Sequence, residues 1–141
     1  MKKLISLSVL LLLVVSVFTV NSIAADKNTP TKVVKASKVE VYYFHYTRRC
    51  TTCQAVETES QKAITALYPA QVKAGMITFK AVNLDEKASG TLAKKCNAEG
   101  QALLVVSGNK RIDLTEQGFM YAVNKPEKLK AELKKTIDPL L

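Results

Sequence analysis

The stretch VEVYYFHYTRRCTTCQAVETES, Val39 to Ser60, joins two patterns at a pair of cysteines. Val39 to Tyr46 is rich in valine and aromatics, which suit a pleated strand. It is apolar at nearly every position after Glu40, as a buried central strand would be. From Thr51 the period changes. Cys53, Val56, Ser60, Ala63, Ile64 and Leu67 recur on one face of a helix, and Glu57, Glu59, Gln61 and Lys62 take the other. Tyr68-Pro69 ends it, because a residue before proline is pushed out of the helical region. Cys50 and Cys53 therefore sit where a buried strand hands over to a helix.

Working outward, residues 75–84 alternate as a second strand, and residues 86–97 form a weaker helix interrupted by Gly90. Ala102 to Ser107 is an apolar third strand. Gly108-Asn109 is a hairpin turn signal, and Lys110 to Thr115 returns with Ile112 and Leu114 inward. A loop around Gly118 leads to a last helix from about Pro126, with Leu129, Leu133 and Ile137 as its apolar stripe. Glu127 near its start and Lys134-Lys135 near its end suit the helix dipole. Strands separated by a helix imply a parallel pair, and the later hairpin adds an antiparallel one. The expected class is α/β, a mixed four-to-five-stranded sheet with helices on both faces.

The N-terminus reads as a targeting segment. Met1-Lys2-Lys3 precedes an apolar run from Leu4 to Val20, with small residues Ser22 and Ala24 at a cleavage position. Residues 1–24 are expected to be a signal peptide, residues 25–37 a flexible polar lead-in containing Pro30, and residues 38–141 the folded domain. The protein is then exported, periplasmic or extracellular, and touches a membrane only through an uncleaved leader. The formal net charge is +9, but the lysines are spread along the chain without interleaved aromatics, so no nucleic-acid partner is expected.

Export permits disulfides, yet three cysteines are too few for a disulfide scaffold, and one is left over. Three readings of the pair stand side by side: a structural staple, a metal clamp and a redox centre. A structural zinc site needs four ligands, and only Cys96 and His45 remain to supplement the pair. No metal and no cofactor are assigned. The helix start favours redox chemistry. Its free amides and partial positive charge stabilise a thiolate, with Cys50 at the first turn as the exposed nucleophile and Cys53, one turn deeper, as the resolving thiol. Arg48 and Arg49 add positive charge beside Cys50, lowering its pKa or binding an anionic partner. Cys96 is either a small buried hydrophobe or a third thiol.

The strand leading to C-x-x-C at a helix start, the second strand–helix unit, the hairpin and the final helix together resemble the thioredoxin superfamily over Lys38 to Leu141. The resemblance implies that Cys50 attacks and Cys53 resolves. It implies too that Gln101, Ala102 and Gly118 form a substrate groove beside the pair. The chain departs from the family in three ways. It has Arg49-Cys50-Thr51-Thr52-Cys53 in place of Trp-Cys-Gly-Pro-Cys, and no tryptophan. Gly100-Gln101-Ala102 stands where the family has a cis-proline that shapes the groove and discourages metal binding. Phe44 falls where thioredoxins carry a buried acid, leaving His45 as a substitute.

The Tyr43–Glu57 pattern YFHxTRRCxTCxAVE is also similar to a narrower group of small exported thioredoxin-like proteins, described as an accessory subunit of a nitrophenyl compound nitroreductase associated with arsenical detoxification. That resemblance implies a redox partner protein or a small thiophilic substrate. The leading expectation is a thiol–disulfide oxidoreductase. The alternative is a soft-metal or arsenical carrier using Cys50, Cys53 and Cys96.

Overall fold

The computed structural model describes residues 38–141; the signal peptide and the lead-in assigned to residues 1–24 and 25–37 lie outside the described residues. The chain runs β1 (Val39–His45), α1 (Thr51–Leu67), α2 (Pro69–Lys73), β2 (Ile77–Asn83), a 3-10 turn (Lys87–Ser89), α3 (Gly90–Lys95), β3 (Ala102–Ser107), β4 (Lys110–Asp113), α4 (Thr115–Tyr121), α5 (Pro126–Ile137) and a final 3-10 turn (Asp138–Leu140). The four strands form one mixed sheet in the order β2-β1-β3-β4. β1 runs parallel to β2, with Tyr43 opposite Ala81, and antiparallel to β3, with Tyr43 opposite Leu103. β4 closes the other edge through the β3–β4 hairpin. Gly108 adopts a φ of +57° in that turn, a left-handed conformation glycine reaches without strain.

Central position makes β1 apolar on both sides, and strand alternation divides its side chains between two cores. Val39, Val41 and Tyr43 face one side, joined by Leu103 and Val105 of β3, by Val56, Ala63 and Ile64 of α1, and by the α5 stripe of Leu129, Leu133 and Ile137. Tyr42 and Phe44 face the other, with Ala102 and Leu104 of β3 and with Ala93 and Cys96 at α3. Helices thus cover both faces of a thioredoxin-like α/β fold. The α1/α5 side is the thicker: each fully buried Leu, Ile or Val there contributes on the order of 1.5–3 kcal/mol.

Differences from the sequence reading lie in the short elements. Proline ends α1 at Leu67 but also starts the five-residue α2, where its missing N–H is harmless in the first turn. Residues 86–97 divide into a 3-10 turn and the six-residue α3. The segment around Gly118 is the helix α4 and not a loop. Among the described residues, no helix is long and apolar enough to cross a membrane.

Candidate redox site

Cys50 is the N-cap of α1. Its backbone is extended (φ −81°, ψ 167°), and its Sγ accepts the Cys53 backbone N–H at 3.2 Å. The Cys50 carbonyl accepts the Gln54 N–H, the first bond of the helix. The two cysteines are disulfide-bonded, with Cα atoms 5.1 Å apart. Their environments differ: Cys50 is exposed, while Cys53 retains 4% of its surface. No acidic residue occupies the first turn of α1, so no residue of that turn opposes the positive end of the helix.

The two arginines behave differently. Arg48 is exposed. Arg49 is half-buried and turns back to form an ion pair with Glu57, its side chain 27% exposed and that of Glu57 25%. The Arg49 charge is therefore partly neutralised by a carboxylate of α1. Beneath the pair lies Tyr43, fully buried, whose hydroxyl has no hydrogen-bond partner. Burial pushes the Tyr43 phenol up to about 12; Arg49 draws it down and Glu57 pushes it further up. The ion pair and the phenol thus feel one another directly. His45 lies on the same face as Tyr43, ring centroids 5.8 Å apart, and its Nδ1 is 2.9 Å from the Tyr46 carbonyl. Phe44 faces the opposite core.

A polar clamp holds the segment between β1 and the cysteines. The Thr47 N–H donates to Asp85 Oδ2 at 2.8 Å, Asn83 Nδ2 donates to Thr47 Oγ1 at 2.9 Å, and the Asp85 N–H donates to Asn83 Oδ1 at 3.1 Å. The Thr47 amide holds the Asp85 carboxyl below the usual carboxylate range. A depressed pKa stabilises the folded loop above the ordinary carboxylate range, and that contribution is lost as pH falls through the depressed value. Amide exchange at Thr47, corrected for intrinsic rate, should therefore stay slow through neutral pH and quicken in acid by about two- to fivefold. An unchanging protection factor down to the acid limit would show that Asp85 does not anchor the loop.

The remaining sequence candidates fall in two places. Gln101 and Ala102 line a groove of about 320 Å³ with Asn97, Arg111, Asp113 and Thr115. Gly118 is not among that groove's lining residues; it is buried within α4, where an added Cβ would meet Val56 Cγ1 at 3.2 Å and Leu103 Cδ2 at 3.3 Å. Its lack of a side chain lets α4 close on α1 one turn beyond Cys53. Cys96 caps α3 and is buried in the second core, on the opposite side of the sheet from α1. Burial pushes its thiol up, which keeps it protonated and unreactive. Among the described residues no three His, Cys, Asp or Glu side chains converge as a metal site, so the structure does not bring Cys96 to the pair.

Sequence reasoning missed Glu57, Asp85 and Tyr43. Glu57 was placed on the outer face of the helix by its period, and nothing in the eight-residue interval to Arg49 signals a contact.

The strand–C-x-x-C–helix junction, with its parallel unit and hairpin, defines a thioredoxin-like α/β domain carrying a vicinal cysteine pair. No family model matches the chain, and no curated protein matches it. A solved structure described as "Structure of a malarial protein" is similar at 24% identity, covering 70% of this chain and 96% of that one with a TM-score of 0.43.

Proposed function

We propose that the protein is a thiol–disulfide oxidoreductase of the thioredoxin superfamily, exported by way of residues 1–24, with Cys50 as nucleophile and Cys53 as resolving thiol. The observation that carries this reading is the asymmetry of the pair: an exposed sulfur at the N-cap of a long helix, bonded to a buried one a turn deeper. In the reducing direction the Cys50 thiolate attacks one sulfur of a substrate disulfide. A mixed disulfide forms and the first substrate thiolate leaves. Cys53 then attacks Cys50 Sγ, the second substrate thiolate leaves, and the chain's pair is oxidised as the substrate is reduced. The reverse sequence oxidises a substrate dithiol. The substrate is a redox partner protein or a small thiophilic compound. The similarity of the Tyr43–Glu57 segment to the nitroreductase-associated group supports an accessory role that relays electrons to a partner enzyme.

The test is a redox titration of residues 25–141 with thiol trapping and mass spectrometry at each poise. Reversible Cys50–Cys53 pairing is expected, with Cys96 trapped as a free thiol only after unfolding. A pair that stays locked against ordinary dithiols would identify a structural staple instead. The carrier alternative is the weaker reading, because a soft metalloid at the pair would meet two sulfurs, with Cys96 on the other side of the sheet.

A further inference from the structure

We infer that Glu57, drawn back along α1 by Arg49, is the acceptor of the Cys53 proton when Cys53 closes the disulfide. This rests on the redox reading of the pair and adds a residue to it. Two features of helix geometry and one observed ion pair converge. Residues four apart on a helix differ by about 40° around its axis and lie one turn apart, so Glu57 stands beside the column that carries Cys53. Helical side chains lean toward the N-terminus, which carries the Glu57 carboxylate over the turn containing Cys53. Finally, its partner Arg49 precedes the helix altogether. Their ion pair spans the first turns of the helix, where the cysteines lie.

The arrangement also answers an electrostatic problem. Cys53 is buried, and ionising a buried thiol is unfavourable without a compensating charge. Moving its proton to Glu57 transfers one negative charge from the carboxylate to the Cys53 sulfur while Arg49 stays in place. The net charge of the cluster is the same before and after the transfer. The Tyr43 hydroxyl is buried near this pair without a hydrogen-bond partner. The step balances: the Cys53 S–H bond breaks as the carboxyl O–H forms, then the Cys50–Cys53 bond forms as the Cys50–substrate bond breaks. Glu57 then gives up the proton to the departing thiolate or, where that thiolate stays ionised, to water.

The experiment uses the reduced chain in a Cys96→Ala background and a nitrobenzoate disulfide reagent in rapid mixing. The first coloured thiolate released reports attack by Cys50, and the second reports closure by Cys53. In Glu57→Gln the second release should slow by at least about tenfold near neutral pH. The first should be no slower, since Arg49 freed of its partner leaves Cys50 at least as nucleophilic. The pH dependence of the second phase should differ between parent and variant while that of the first does not, a readout that does not depend on the stability of the variant. Equal second-phase rates and pH profiles in both chains would overturn the role of Glu57 and leave the redox pair standing. Release of a single thiolate by the parent would overturn the redox reading itself.

Discussion

Cys50→Ser is expected to abolish the proposed thiol–disulfide exchange, down to the level of the uncatalysed buffer reaction, and to leave the fold in place. Two parts of the structure make this a clean expectation. Cys50 is the exposed member of the pair, and the partner sulfur of Cys53 is too deeply buried to meet a substrate in its place. The substitution is also gentle on the helix. Cys50 caps α1 by accepting the Cys53 N–H on its side chain, and serine is among the preferred residues for that position. The variant should therefore lose activity without losing helix. Cys53→Ser behaves differently: it retains the attacking thiol and accumulates mixed disulfides that cannot close. Dithiol turnover by Cys50→Ser at the parent rate would show that the nucleophile lies elsewhere.

Gly118→Leu is the most damaging single change expected for stability. A Cβ at this position already stands 3.2 Å from Val56 Cγ1 and 3.3 Å from Leu103 Cδ2. Both neighbours are fully buried and belong to the larger core, so neither has room to retreat. Forcing a branched side chain between them should cost on the order of 3 kcal/mol and lower the melting temperature by about 10–20 °C. Gly118→Ala is the useful contrast. Its extra methyl crowds the same atoms, but alanine improves on glycine in a helix by about 1 kcal/mol, so the two effects nearly offset. A leucine variant that melts with the parent would mean that α4 and α1 are not packed as described.

The longest and most periodic segments were the legible ones. β1 and β3 emerged from their apolar runs, and the buried face of α1 from helical spacing. The stripe of α5 followed the same way, because in each case burial repeats often enough to leave a pattern. The placement of Cys50 and Cys53 at the strand–helix junction came from those same signals. α4 was hidden because its seven residues carry a central glycine and its N-cap is Leu114, a residue with no capping side chain. Tertiary packing makes that helix, and local propensity does not announce it. The partners of the site were hidden for a different reason. Arg49 with Glu57, and Thr47 with Asp85, join across the junction between elements. Such contacts follow from how a chain turns and leave no mark in spacing. The groove role expected of Gly118 came from resemblance alone; its close approach to Val56 and Leu103 had no signal in the sequence.

The sheet between the two cores has a consequence for how the chain matures. Three thiols allow three pairings, and two of them would be dead ends. With Cys96 held in the core opposite α1, a native-like chain brings only Cys50 and Cys53 within bonding reach. Isomers involving Cys96 require the sheet to open, so oxidation after folding has one product. The odd cysteine is kept from error by the wall of strands, and this domain needs no shuffling catalyst to reach its correct bond.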